Sequence, residues 1–168
     1  MSRVTRIALA AALVCAATVA MAEDAERDGL ARYEVEGWTI EVVRDGDRAA
    51  CSLIREDPTG AALVVSRVSD SPFVLPVMEI VAERDPFGAG PVVLAAAATR
   101  TEAELDTFYD EDGVHVAAYP PLDMADPMME AMQVAGDVRL EQNGEAVASM
   151  PLTGFTAAFA EITRVCGG

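Results

Sequence analysis

The chain has 168 residues, with 28 acidic and 12 basic side chains and a formal net charge of −16. This balance argues against nucleic acid or anionic lipid as a partner, because an acidic protein repels both. Hydrophobic residues make up 52% of the sequence, enough for one ordinary domain with its own core.

Residues 1–22 are predicted to be a secretory signal peptide. Two arginines precede an apolar run from Ile7 to Val19, and Ala20-Met21-Ala22 forms a small-x-small cleavage site. The apolar run is shorter than the roughly 20 residues that a membrane-spanning helix needs. We therefore expect residues 23–168 to be an exported, periplasmic domain without a membrane span.

Two cysteines, Cys51 and Cys166, remain after this cleavage. An oxidising exported compartment favours one disulfide between them. Closing so long a loop would stabilise the fold by about 4–5 kcal/mol in the chain-entropy model. The alternative, a catalytic thiol, would need a nearby histidine, and the only histidine is His115 in an alternating segment.

The first third of the mature chain indicates paired strands. Residues 23–36 are charged and predicted to be frayed, with pairing beginning only near Tyr33. Trp38 to Val43 alternates as a strand, and Asp45-Gly46 is a hairpin turn signal. This turn would place Ile40 opposite Cys51 on the return strand, residues 49–55.

The middle of the chain contains its most apolar segments. Residues 62–68 and 73–82 are predicted to be central strands, although Pro76 favours an edge or a bulge. Residues 92–99 are ambiguous, because four consecutive alanines favour helix and the preceding Val-Val-Leu favours strand; strand is the preferred interpretation. Residues 114–119 alternate as a further strand.

Asp126-Pro127 is predicted to open a helix that runs to Ala135. Three methionines lie along this helix: Met128, Met129 and Met132. Packing against a sheet is one interpretation of these side chains. The other is a flexible apolar groove for a peptide or lipid.

The closing segment predicts a hairpin followed by a helix. Asn143-Gly144 favours a two-residue turn, which would place Leu140 opposite Val147. Thr153 is a plausible N-cap of the last helix. Six residues of that helix recur at helical spacing on one apolar stripe: Phe155, Ala158, Phe159, Ile162, Val165 and Cys166. So short a helix is marginal alone and is expected to lie on a sheet.

These elements predict a mainly β (α+β) fold, an antiparallel β-sandwich or β-roll with two short helices. Asp110, Glu111 and Asp112 could bind calcium, but they lack the spacing of an EF-hand loop, and solvated loop carboxylates are the other interpretation. No phosphate-cradling glycine loop or paired-cysteine metal site is present. We therefore predict no cofactor and no resident metal.

Catalytic serine chemistry has weak support. A Ser-His-Asp set could include His115, but Ser52, Ser66 and Ser149 all lie in predicted strands rather than on an exposed elbow. An envelope hydrolase is accordingly the least favoured of the functions considered.

The chain resembles the invasion-associated locus B family of exported proteobacterial proteins. The resemblance rests on a tryptophan-led strand (Gly37-Trp38-Thr39-Ile40), a cysteine strand (Cys51-Ser52-Leu53) and the late run 151–159. That run has the form Leu-x-Gly-Phe-x-x-Ala, carried by Leu152, Gly154, Phe155 and Ala158. The resemblance implies a β-rich periplasmic or surface-associated protein without catalytic activity.

We expect a non-enzymatic, envelope-associated protein that acts on an unknown protein partner in the cell envelope. A periplasmic carrier of a small apolar ligand, held under the methionine helix, is the alternative. The sequence does not indicate an oligomeric state.

Overall fold

A computed structural model describes residues 30–69, 71, 74–110 and 113–167. The predicted signal peptide, Phe73, Glu111 and Asp112 lie outside the described residues. The strands are β1 (Leu30–Val35), β2 (Trp38–Asp45), β3 (Arg48–Glu56), β4 (Ala61–Val68), β5 (Val74–Ala82), β6 (Val92–Ala96), β7 (Thr99–Glu102), β8 (Glu104–Asp110), β9 (Gly113–Tyr119), β10 (Asp137–Gln142) and β11 (Glu145–Pro151). The helices are α1 (Leu122–Val134) and α2 (Phe155–Cys166). Neither of these helices is long and apolar enough to cross a membrane.

Seven strands form one antiparallel sheet in the order β1-β2-β3-β4-β5-β9-β8. The two most apolar segments became β4 and β5, which lie inside this sheet as predicted. Pro76 pairs with Val65 within β5, so this proline sits in an interior strand rather than at an edge. Within the region predicted to be frayed, residues 30–35 instead form β1, which pairs with β2 along all six of its residues.

The β2–β3 hairpin differs from its predicted register. Asp45 pairs with Arg48 and Val42 with Cys51, so the turn consists of Gly46 and Asp47. The prediction that Ile40 would face Cys51 was therefore wrong by two residues. A two-residue shift keeps every side chain on the same face of the sheet, because strand side chains alternate with period two. The wrong register therefore did not change which side chains of β2 and β3 were predicted to face inward.

Four strands form a smaller antiparallel sheet in the order β11-β10-β6-β7. The ambiguous segment is strand β6, as preferred, and its alanine run continues into a turn at which Ala97 takes a positive φ of 48°. Gln142 faces Glu145 as predicted, but a bulge follows between Leu140 and Glu141. Leu140 consequently faces Ala148, and the predicted Leu140–Val147 pair was wrong. Val147 is exposed as a result.

Both helices begin at other residues than predicted. Helix α1 starts at Leu122, one turn before Asp126, so Pro127 lies inside the helix on its exposed side. Helix α2 starts after Gly154, which adopts the left-handed conformation, and no side chain caps the helix. Thr153 is therefore not the N-cap.

The two sheets and both helices enclose one continuous apolar core. Helix α2 packs on β2, β3 and β4, helix α1 packs on β5, β6 and β7, and strand β11 lies against β4. The fold is thus mainly β, with antiparallel sheets and the C-terminal helix on the large sheet, as predicted. Only one face of the large sheet is covered by these elements. This difference between the two faces of the large sheet determines where the candidate sites lie.

Candidate functional sites

The predicted disulfide joins Cys51, in the middle of β3, to Cys166, the last residue of α2. Their Cα atoms are 6.2 Å apart, and 115 residues separate them in sequence. Both cysteines are buried. The bond therefore ties the end of the last helix to an interior strand of the large sheet.

The tryptophan and the late motif of the sequence meet at the other end of α2. The rings of Trp38 and Phe155 pack with their centroids 5.3 Å apart. The Trp38 Nε1 donates a hydrogen bond to the carbonyl of Thr153 at 2.9 Å, and Arg55 Nη1 donates to the same carbonyl at 2.7 Å. The Arg55 guanidinium lies 5.4 Å from the centre of the Trp38 ring, a cation–π distance.

The remaining motif residues belong to the same contact region. Leu152 and Ala158 are buried in the core. At Gly154 an added Cβ would lie 2.7 Å from both the Cβ and the carbonyl oxygen of Glu36. The motif residues thus fix the start of α2 against the large sheet, which is a structural role.

The three methionines of α1 are buried in the protein. Met128, Met129 and Met132 are at most 5% exposed and belong to the common core. The geometry therefore favours the packing interpretation of these residues over the groove interpretation.

The residues considered for catalysis are not brought together. His115 lies opposite Val81 and Ser66 opposite Leu75, so the two are six residues apart along β5, about 20 Å at the usual strand rise. Ser52 hydrogen-bonds Ser66 at 3.2 Å, and Ser149 lies in the other sheet. The His115 ring instead stacks on Phe108 with centroids 4.6 Å apart.

The acidic span considered for calcium leads from strand β8 towards β9. Asp110 is the last residue of β8 and pairs with Gly113. Within the described part of the chain, no group of three or more histidine, cysteine, aspartate or glutamate residues is arranged to hold a metal ion. Glu111 and Asp112 are not among the described residues.

A buried carboxylate on the small sheet was missed by the sequence analysis. Glu141 is 6% exposed, and Arg100 Nη2 lies 2.5 Å from its Oε2. The hydrogen bond from Arg100 lowers the pKa of Glu141, and the charge of Arg139 acts in the same direction. Its neighbour Gln142 holds the loop before β6, accepting from the Gly88 amide and donating to two loop carbonyls. Both residues stabilise the fold.

The first candidate surface is the uncovered face of the large sheet, here called the outer face. Its centre is a row of three apolar residues on adjacent strands, Ile54, Val64 and Val77, each half-buried. Their inward-pointing neighbours Leu53, Val65 and Met78 are fully buried. Among the described residues, no further layer of the protein covers these outer-face side chains.

More exposed apolar residues extend this surface. Four of them expose more than a third of their area: Val43, Val68, Val81 and Phe108. Acidic side chains lie around them on the same face, including Glu41, which pairs with Arg32 at 3.5 Å, and Glu79. The outer face is consequently apolar at its centre and acidic around it.

The second candidate site is a cleft of about 370 Å³ between the edge of the large sheet and the end of α2, here called the α2 cleft. Its lining residues are Ala31, Tyr33, Val42, Arg44, Glu161, Arg164 and Val165. Strands β1 and β2 supply the first four, and the last turns of α2 supply the others.

Polar contacts in the α2 cleft converge on one carboxylate. Arg164 donates to both oxygens of Glu161, at 2.8 and 2.6 Å, and the Tyr33 hydroxyl donates to Oε1 at 3.1 Å. The hydrogen bond from Arg164 lowers the pKa of Glu161. Burial and then the negative charge of Glu161 raise the pKa of Tyr33.

The sequence contains only part of the signal for this cleft. Glu161 and Arg164 are three residues apart on an amphipathic helix, the spacing at which side chains pair, so that contact was detectable. Tyr33 and Arg44 join them only through the β1–β2 pairing and the docking of α2. Neither could be assigned to this site from sequence spacing.

Comparisons with protein-family models, with curated proteins and with solved structures find no match for this chain. The class that the fold defines is a disulfide-linked, mainly antiparallel β-protein with its C-terminal helix on the large sheet.

Proposed function

We propose that the protein is an exported, non-enzymatic component of the bacterial cell envelope that binds another protein through its outer face. The observation that carries this proposal is the row Ile54–Val64–Val77, which crosses three adjacent strands and which no other element in the described part of the chain covers. Contiguous apolar surface surrounded by polar residues is typical of interaction sites. The resemblance to the invasion-associated locus B family agrees with such a role.

Charge indicates the chemistry of the partner. The whole chain has a net charge of −16, and acidic residues surround the apolar row. A second copy of the chain would bring like charges together, which disfavours self-association. A partner that presents apolar side chains flanked by arginine or lysine would complement the face.

Export is supported by two independent features. The first 22 residues have the charge, apolar run and cleavage signal of a signal peptide. A buried disulfide between distant residues persists in an oxidising compartment and is rare in a reducing one. Mass spectrometry of the product should find Glu23 as the first residue and no free thiol; an intact leader would contradict export.

Site-specific photo-crosslinking tests the outer face. The chain contains no lysine, so a photoreactive residue at position 64 is preferable to an amine-reactive reagent. We expect position 64 to label one defined envelope protein, at a segment with basic and apolar residues. Labelling should weaken as NaCl rises, because charge complementarity is screened by salt.

The matched control is the same photoreactive residue at position 134, where Val134 is 80% exposed on α1, a helix that packs on the covered side of the large sheet. Val64→Arg should abolish the cross-link formed from position 77, whereas Val134→Arg should leave it unchanged. Val64→Thr keeps the β-branched shape and replaces Val64→Arg as the test variant if the arginine variant does not fold. Equal labelling from positions 64 and 134, or labelling that persists in both Val64 variants, would overturn the proposal.

A further inference from the structure

We propose that the α2 cleft binds the carboxylate of a ligand with a short apolar chain. The site lies on the covered side of the large sheet, between its β1 edge and α2. It is therefore separate from the outer face, and it does not depend on the function proposed above.

The floor of the cleft suits an apolar chain. Ala31 and Val42 are directly paired on β1 and β2, and both belong to the cleft lining together with Val165 of the helix. Val42 is 3% exposed and gives the cleft a firm base. A volume of about 370 Å³ lies at the low end of the range for small-ligand sites, which favours a short chain.

The charges of the cleft favour an anion. Glu161 already accepts three hydrogen bonds, from Tyr33 and twice from Arg164, so its charge is matched within the protein. Arg44 is exposed at the cleft, and none of the ion pairs in the described part of the chain includes it. The lining thus carries two arginines and one glutamate, a positive balance on a strongly acidic protein.

Arg44 acts within the cleft rather than beside it. The positive charges of Arg164 and Arg44 both lower the pKa of Tyr33, against the larger effects of burial and Glu161 that raise it. A guanidinium at the mouth of an apolar cleft can hold a carboxylate by two parallel hydrogen bonds. A ligand amine at the same place would be repelled, because none of the described ion pairs neutralises the charge of the Arg44 guanidinium.

A carboxylate attached to a short apolar chain occurs in a free fatty acid and also at the C-terminus of a peptide. Isothermal titration calorimetry of oxidised residues 23–168 with octanoate, and with an acetylated pentapeptide that ends in leucine, distinguishes these sources. Octanol and the amidated peptide lack the carboxylate and are the matched ligand controls.

We expect saturable 1:1 binding of at least one carboxylate ligand and at least tenfold weaker binding of its neutral control. Arg44→Ala should weaken the bound carboxylate at least tenfold, and Arg44→Gln, which keeps side-chain length, should do the same. Arg84→Ala removes an exposed arginine outside the cleft and should change nothing.

Three results would overturn the assignment. They are no saturable binding of either carboxylate, equal binding of the neutral control, and equal loss of affinity in Arg44→Ala and Arg84→Ala. None of these measurements involves the outer face, so the two proposals can fail separately.

Discussion

Gly154 shows how one residue determines where α2 begins. Its φ of +78° is a conformation that residues with a Cβ rarely adopt, and Glu36 occupies the space that a Cβ would need. The resemblance to a known family motif marked this glycine as important, but its cause is a contact with a residue 118 positions earlier. Only the folded chain places Glu36 there.

Gly154→Ala should lower the free energy of unfolding by about 2–3 kcal/mol, because backbone strain and the clash with Glu36 add. Urea unfolding followed by Trp38 fluorescence measures this change. Gly46→Ala is the control, since Gly46 also has a positive φ but no atom within 4 Å of an added Cβ. A Gly154→Ala effect no larger than the control effect would refute the role of Glu36.

Glu141 shows that alternation along a strand does not by itself determine which side chains are buried. Strict alternation from the buried Val138 and Leu140 would point both Arg139 and Glu141 away from the core, yet Glu141 is buried while Arg139 is half-buried. The bulge after Leu140 and the side chain of Arg100 across the small sheet account for this burial. Neither can be derived from the local sequence.

The pairing of Glu141 with Arg100 predicts a pH dependence of stability. The hydrogen bond from Arg100 lowers the pKa of the folded carboxyl below its ordinary value of 4.5, so the folded state binds this proton less readily than the unfolded state does. The stabilisation is therefore present above pH 4.5 and is lost as pH falls through the folded pKa.

Glu141→Gln should accordingly destabilise the protein more at pH 7 than at pH 3, as measured by urea unfolding at both values. Glu145→Gln changes an exposed residue at the start of the neighbouring strand β11 and provides the comparison. A Glu141→Gln effect that is the same at both pH values would show that the ion pair contributes nothing to the pH dependence.

Helix α2 is held at both ends by contacts of different kinds. At its start, Trp38 and Arg55 bond the Thr153 carbonyl, and at its end Cys166 bonds Cys51. Between them Phe155, Ala158 and Ile162 are buried on the sheet. The stripe was readable from the sequence because helical periodicity is local, whereas the start of the helix was not.

Replacing both Cys51 and Cys166 by alanine should lower the free energy of unfolding by about 4–5 kcal/mol, since the unfolded chain regains the entropy of a long loop. Urea unfolding of the variant and of the oxidised protein measures the difference. Oxidised protein treated with dithiothreitol should approach the stability of the variant. A loss below about 1 kcal/mol would mean that the bond does not constrain the unfolded chain.

The whole molecule carries far more negative than positive charge. Its surface ion pairs, such as Arg32–Glu41, are exposed and contribute little to stability. Repulsion among the remaining carboxylates therefore outweighs them at low ionic strength. Removal of the predicted leader would make the net charge still more negative, because both of its charged residues are arginines.

Raising NaCl from 0.01 to 0.5 M should increase the melting temperature by about 2–4 °C, which corresponds to ~1 kcal/mol for a chain of this size. Thermal unfolding followed by circular dichroism measures the shift, with sucrose of equal osmolality as the control. A constant or falling melting temperature would contradict net repulsion. Calcium chloride at equal ionic strength should add nothing further if the acidic span near Asp110 is only solvated.

The predictable features of this protein are those with local causes. Alternation identified most strands and which side chains face inward, helical spacing identified the buried stripe of α2, and the cysteine count indicated the disulfide. These inferences hold because burial of apolar side chains requires the same period wherever a strand or helix lies.

Tertiary structure decided what depends on distant residues. The bulge at Leu140, the left-handed Gly154 beside Glu36, and the pairing of Glu141 with Arg100 arise from contacts between separate elements. So do the two candidate sites: the described elements leave one sheet face uncovered because both helices and β11 pack on the other. The α2 cleft exists because the same packing brings a helix end beside the β1 edge. Such contacts have no period along the chain, and only the packed fold determines them.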